Sequence, residues 1–249
     1  MMKQHGISLL ELMISLFLFC LLIEIITQSY LNSKQQYLIT QKKLDNTFDI
    51  QLVSQLIRAS IRSAGFTPCL NSDYLIMQDR RNSSNLQLPS IQIKGNSLTI
   101  RHMSDNFFTV KRQLDSQHLL ITNNRILTKG NDVLIADCVH GEVHELNSVE
   151  HTSSGLLVGL KKPLSFHYIS PMYIGSWLEE KFFTKTDKYG VENLFYKLKH
   201  AEQLTSLVNH FSVKMLKEGR YRFIDVILDI GDKAINLHTR VRTSCGNGA

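Results

Sequence analysis

Proline and tryptophan are scarce in this 249-residue sequence, with 4 and 1 respectively, and the first proline is Pro68. Between Ile7 and Ala64 there is neither proline nor glycine. Those two residues are the usual enders of helices, so nothing in that stretch interrupts one. About 55 residues at a rise of 1.5 Å predict a rod of roughly 85 Å. Nucleotide-binding loops are missing too. Gly155-Leu-Leu-Val-Gly159-Leu-Lys-Lys lacks the spacing and the hydroxyl residue of a phosphate loop. There is no Gly-x-Ser-x-Gly elbow, and no internal repeat. The 10 histidines are scattered, and single ones such as His102 and His118 read as packed or exposed side chains. No enzyme, no cofactor and no metal site are expected.

A charge balance of 28 Lys and Arg against 22 Asp and Glu leaves a formal net charge of +6. Lys34, Lys42, Lys43, Arg58 and Arg62 fall on the predicted helix, and Arg80-Arg81 follow it. A solvated face accounts for them, so DNA is not expected as a partner. Hydrophobic content is 43%, enough for a sizeable core outside any membrane segment.

What is present begins at residue 1. A polar leader with one lysine, Met1-Met-Lys-Gln-His-Gly6, is followed by Ile7-Ser-Leu-Leu-Glu11-Leu-Met-Ile-Ser-Leu-Phe-Leu-Phe-Cys20-Leu-Leu-Ile-Glu24-Ile-Ile. About 20 mostly apolar residues are the length of a membrane-spanning helix. Glu11 sits inside this run, five residues after the glycine. A carboxylate near the middle of such a helix costs about 2.5–3.5 kcal/mol on insertion scales, so Glu11 calls for a partner. A secretory signal peptide would need a small-residue cleavage site after the core. None follows Ile26, where the chain reads Thr-Gln-Ser-Tyr-Leu-Asn. A plain signal anchor explains the length but not the glycine-to-glutamate spacing.

This stretch resembles the class III signal of type IV prepilins and pseudopilins. The resemblance implies cleavage by a prepilin peptidase between Gly6 and Ile7 and methylation of the new N-terminal Ile7. It implies that Glu11 meets the amino terminus of a neighbouring subunit, burying the two charges as a pair. Family members usually carry phenylalanine where this chain has Ile7. Further on, Arg58-Ala-Ser-Ile-Arg62-Ser-Ala64-Gly65-Phe66-Thr-Pro-Cys69 resembles the end of the first helix in PilW-type minor pilins. Val191-Glu-Asn-Leu-Phe-Tyr-Lys and the segment from Glu202 resemble the C-terminal layout of PilW-type and GspJ-type proteins. Membership there implies a minor pilin that primes or caps a type IV pilus, or a minor pseudopilin of a type II secretion system. The implied partners are prepilin peptidase, other minor and major pilins, the inner-membrane assembly platform, and lipid before assembly. The implied location is the inner membrane, single-pass with the body in the periplasm, then the pilus or its base. The competing reading of another class is an anchored exported domain that binds a ligand or metal.

The expected fold is α+β, a long N-terminal helix packed on an antiparallel β-rich body. Its expected parts are a leader (1–6), an apolar half-helix (7–29), an amphipathic half-helix (30–65) and a globular body (66–249). In the second half-helix Leu44, Phe48, Leu52 and Leu56 recur every four residues, with Val53, Ile57 and Ile61 beside them, a stripe for packing on the body. Gly65 is placed as a left-handed cap. Asp79–Asn85 reads as a loop by composition. From about residue 91, short β-branched and aromatic segments alternate with turn residues. They are 91–93, 97–102, 107–111, 118–122, 132–137, 143–146, 155–160, 172–174, 181–184, 191–198, 211–216, 221–228 and 235–241. A short helix is expected over 201–208.

Of the four cysteines, Cys20 lies in the apolar run as a lipid-facing or packed thiol. Cys69, Cys138 and Cys245 allow three single pairings. The PilW resemblance implies Cys69–Cys138. Such a bridge would close a loop of about 70 residues, stabilising by about 4 kcal/mol on the chain-entropy model. Cys245 departs from the family pattern; it could be free, bridge to another subunit, or displace a member of that pair. In Asp137-Cys138-Val-His140-Gly-Glu142-Val-His144-Glu145, a strand would place Cys138, His140, Glu142 and His144 on one face, a possible metal set. Gly141 marks a possible bulge there, and oxidation of Cys138 would remove one ligand.

Overall fold

The computed structural model describes residues 9–81, 88–122, 127–188, 190–219, 221–231 and 233–242. The chain forms two units, Met1–Gln51 and Leu52–Ala249. The fold is α+β, as the sequence predicts. The leader over 1–6, and the part of the expected 79–85 loop that follows Arg81, lie outside the described residues.

The long helix, α1, spans Leu9–Ser63 without interruption. In the first unit its large apolar side chains are exposed, from Leu10 through Phe17, Phe19 and Ile26 to Phe48. This helix is long and apolar enough to cross a membrane.

In the second unit, the chain buries Val53, Ile57, Ser60, Ile61 and Ala64 at the end of α1. That spacing of four, three, one and three follows one helical face. The predicted stripe holds for Val53, Ile57 and Ile61 and is corrected for the residues beside them. Leu44, Phe48 and Leu52 are exposed, Leu52 at 68%, and Leu56 is half-buried. The two apolar stripes are offset by one residue, about 100° around the helix. Both have the right period, so periodicity alone could not choose between them.

Thirteen strands follow among the described residues: β1 (Ile76–Asp79), β2 (Ile91–Lys94), β3 (Ser97–Gln113), β4 (His118–Ile121), β5 (Asp132–Ala136), β6 (His140–Thr152), β7 (Gly155–Leu160), β8 (Tyr173–Thr186), β9 (Glu192–Lys197), β10 (Ala201–Thr205), β11 (His210–Glu218), β12 (Tyr221–Ile230) and β13 (Lys233–Arg240). Segments predicted as separate are single long strands. β3 unites 97–102 with 107–111 across a register shift between Met103 and Phe107, and β8 unites residues 173–174 of the predicted 172–174 segment with 181–184. The helix predicted over 201–208 is instead strand β10, paired with β9. Its Ala-Glu-Gln-Leu sequence favours a helix, but an open sheet edge overrides that weak propensity. β1 has no counterpart among the predicted strands. It pairs parallel with β6 in an otherwise antiparallel sheet.

The large sheet closes on itself. Long strands change partners along their length: β3 pairs β8 and then β4, and β6 pairs β5 and then β7. Strands β3, β8, β5, β6, β7 and β4 therefore form a ring. Its interior is filled by Leu119, Ile121, Val133, Ile135, Leu146, Leu156, Val158 and Ile174. Alternation along β5 sends Leu134 and Ala136 outward, where they meet Met103, Val143, Trp177, Leu75 and Phe66. Beyond the ring, β2 and the first half of β3, with β8, β9 and β10, form an open five-stranded wing. One wing face carries buried Leu98, Ile100, Phe182 and Leu194. Glu180, on that face, accepts a hydrogen bond from Ser60 of α1. β11, β12 and β13 make a separate three-stranded sheet.

Candidate functional site

Two regions of this molecule call for a functional account: the exposed apolar helix, and the turn at which the end of α1 joins the body. Gly6 and Ile7, the predicted cleavage and methylation positions, lie outside the described residues, as does Cys245. Glu11 lies in the first described turn of α1, flanked by exposed Leu10, Leu12 and Ile14. Cys20 is an exposed free thiol on the same stretch. Contiguous exposed apolar surface of this extent marks a protein or lipid interface.

The turn after α1 is built around Gly65 and Asn71. Gly65 has φ +69°, the left-handed conformation predicted for it. Its N–H does not close a helical cap, however; it donates to the carbonyl of Arg101 on β3 at 2.8 Å. A Cβ at Gly65 would collide with the carboxamide of Asn71. Asn71 is buried, and its Nδ2 donates to the carbonyls of Ala64 (2.8 Å) and Arg242 (2.9 Å). Its Oδ1 accepts the Asp73 N–H at 3.0 Å. One side chain thus binds the helix end, the following turn and the C-terminal segment. The Phe66 carbonyl accepts the Met103 N–H at 2.9 Å, continuing the stitching onto β3. Two residues before Asn71, Cys69 is disulfide-bonded to Cys138, with Cα atoms 5.2 Å apart. Asn71 escaped the sequence reading, since an asparagine in a polar turn carries no mark of burial.

Cys138 lies in the turn between β5 and β6, not in the strand with His140, Glu142 and His144. Gly141 is paired inside β6 rather than at a bulge; a Cβ there would meet Met77 Sδ of β1 at 2.5 Å. Glu142 and His144 do share a face, buried and 2.6 Å apart through Oε2 and Nε2. The other Glu142 oxygen accepts the N–H groups of Ser165 (2.8 Å) and Phe166 (2.9 Å). Asp137 accepts N–H groups from Val139, His140 and Ile169. Burial alone would raise the Asp137 carboxyl, but those three backbone donors outweigh it and hold it below the usual range. His140 stacks on Phe166, with centroids 4.7 Å apart. Of the donors that the sequence groups as a metal set, Cys138 is oxidised in its bridge to Cys69, His144 is bonded to Glu142, and Glu142 and His140 hold residues 165 and 166 against β6. Among the described residues no group of three His, Cys, Asp or Glu is placed to hold a metal ion.

Arg81, read from sequence as a solvated loop residue, is the centre of an ion network. Its guanidinium contacts Asp79 (2.9 Å), Asp132 (2.7 Å) and Glu179 (2.7 Å). Arg101 Nε donates to the second Glu179 oxygen at 3.1 Å. Burial would raise the Glu179 carboxyl, but Arg81 and then Arg101 outweigh it and hold it low. Burial likewise works against Arg81 at Asp79, and there too Arg81 prevails and lowers the carboxyl. The network pins the chain after β1 to β5 and β8. It is structural in form, since Nε and both terminal nitrogens of Arg81 each meet a carboxylate oxygen of the protein.

Residues 1–23 match the family model for the prokaryotic N-terminal methylation motif. No curated protein and no solved structure matches the chain. With its exposed apolar helix running through and beyond that motif, the chain carries the signal of a type IV pilin-like or pseudopilin precursor.

Proposed function

We propose that the protein is a minor pilin, a structural and assembly subunit of a type IV pilus that primes or caps the filament. Prepilin peptidase cuts between Gly6 and Ile7, and Ile7 is methylated. The apolar half of α1 holds the subunit in the inner membrane, with the body in the periplasm, and then packs among the same segments of other pilins. Glu11 sets the register by pairing with a neighbour's amino terminus, which offsets the cost of placing its charge in an apolar bundle. The protein performs no catalysis in this role. A minor pseudopilin of a type II secretion system would use the same chemistry at the N-terminus.

The carrying observation is the methylation motif at residues 1–23, continuous with an exposed apolar helix. The test is the N-terminal mass of the protein from membranes of cells with and without prepilin peptidase. A chain starting at methylated Ile7 only when the peptidase is present supports the reading. A chain keeping Met1 in both strains overturns it and favours an anchored domain.

A further inference from the structure

The wing of the large sheet has one face buried on the side of Ser60 and one face open. The open face is basic, and its charges come from separate strands and turns. Lys94 of β2, Lys181 of β8, Lys197 of β9 and Lys199 just beyond it line a groove of about 950 Å³. All four lysines are exposed. None of them makes an ion pair among the described residues. The acids near them, Glu179 and Asp132, are already matched to Arg81 and Arg101. Both arginines are in turn engaged by protein acceptors. The lysines are therefore the charges left to meet a ligand.

Two further observations point to a ligand rather than a merely solvated face. Lys181 and Lys197 are directly opposed cross-strand partners, an arrangement that is destabilising when like charges face each other. Two residues along each strand, on the same face, Phe183 and Phe195 stack across the β8–β9 pair, centroids 5.7 Å apart and rings at 21°. Both rings are half-buried rather than enclosed. Lys181 Nζ lies 5.4 Å from the Phe183 centroid. A second hollow, of about 460 Å³, begins beyond Phe195, with Lys185 and Lys188 on its rim.

The geometry points to this face as a binding site for single-stranded nucleic acid. Lysines without an ion-pair partner would meet phosphates, and the exposed part of the aromatic pair would meet a base, the two elements of sequence-tolerant single-strand binding. From β2 to β9 is three strand spacings, about 14 Å, or about four nucleotides at a stacked rise of about 3.4 Å. An acidic polysaccharide would use the lysines but has no bases to stack. Charges counted along the helix give no reason to expect DNA. The fold collects a different set, spread over about 100 residues of sequence. This inference does not rest on the filament role.

The test uses the full chain in detergent and a fluorescein-labelled oligo-dT of about 20 nucleotides, long enough for several such sites, followed by anisotropy from about 50 to 300 mM salt. Polygalacturonate serves as the acidic-glycan probe. The expected result is oligo-dT binding whose log K falls against log salt with a slope of about −3, for four lysine contacts. Lys181→Ala with Lys197→Ala weakens it about tenfold or more. Lys214→Ala with Lys217→Ala, an equal charge loss on the three-stranded sheet, leaves it unchanged. Phe195→Leu, which keeps apolar bulk, weakens oligo-dT binding about tenfold and leaves any polygalacturonate binding unaltered. Retained far-UV dichroism confirms that each variant is folded. Three results overturn the inference: no oligo-dT binding at the lowest salt, equal losses from the two lysine pairs, or no effect of Phe195→Leu. Polygalacturonate binding in place of oligo-dT overturns it in favour of a glycan.

Discussion

The Nδ2 atom of Asn71 lies 2.8 Å from the carbonyl oxygen of Ala64, and the same atom donates to the carbonyl of Arg242. The end of the helix and the end of the described chain are thus held by one buried amide. Asn71→Ala orphans both carbonyls and the Asp73 N–H. The expected loss is about 2–4 kcal/mol, seen as a drop of roughly 4–16 °C in the melting temperature. Asn71→Asp should be worse, because an acceptor oxygen replaces the donor facing two carbonyls. Thermal unfolding in detergent checks both.

Glu142 should be equally intolerant. Glu142→Ala removes the acceptor for the Ser165 and Phe166 N–H groups and the partner of buried His144. Removing one side of a buried pair is destabilising by about 3 kcal/mol or more. The change should loosen the 163–171 segment first, with faster hydrogen exchange at the Ser165 and Phe166 amides. Trypsin should nick the chain after Lys161 earlier than in the parent protein.

Reduction should act at the other anchor of the same region. Paired replacement of Cys69 and Cys138 by serine opens a loop of sequence separation 69. The chain-entropy model assigns about 4 kcal/mol to that closure. Melting with and without dithiothreitol should differ for the parent protein and coincide for the double variant.

The ion pairs give the body a defined pH window. The His102 ring is lowered by burial but raised more by the hydrogen bond to Glu180, so its folded pKa exceeds the ordinary 6.5. Its contribution is full below about pH 6.5 and is lost as pH rises through the folded value. For Glu179 and Glu180, burial raises and the Arg81 or His102 contacts lower, leaving both below the ordinary 4.5. Their contribution is present above about pH 4.5 and lost as pH falls through the folded values. Melting temperature should therefore be highest, as far as these groups are concerned, between about pH 4.5 and 6.5. In His102→Gln the decline on the alkaline side should flatten, while the acid limb contributed by Glu179 remains.

At the N-terminus, Gly6→Ala should block processing, leaving a chain that starts at Met1. Glu11→Ala should be processed normally yet be depleted from sheared filaments relative to the membrane fraction. Immunoblots of the two fractions measure this. Normal incorporation of the Glu11 variant would remove the register role assigned to that carboxylate.

Most strand positions are legible in the sequence, because turn residues and β-branched runs are local signals. The changing partnership of the strands is not. Nothing local in 103–107 reveals that β3 continues through its shift to join β4 after β8. Ala201–Thr205 has helix-favouring residues and is a strand because β9 offers it an unpaired edge. Candidate residues divide in the same way. Glu142 and His144 are recognisable as neighbours by their spacing of two. Asn71, Arg81 and the open basic face are not, since each depends on partners far away in the chain.

Residue type and spacing were enough to specify one continuous helix between Ile7 and Ala64, described over Leu9–Ser63, because no glycine or proline interrupts it and its first half is apolar nearly all round. They were enough for the signal that opens the chain as well, because that signal is contiguous. Which helical stripe is buried was left to long-range packing, since the 44–48–52 and the 53–57–61 stripes are both apolar at the same period. Long-range packing also enclosed Arg81 among three carboxylates and brought Lys94, Lys181 and Lys197 onto one face. Those outcomes depend on which distant strands become neighbours, and hydrogen-bond pairing across a sheet leaves no periodic trace of the partner in the sequence of either strand.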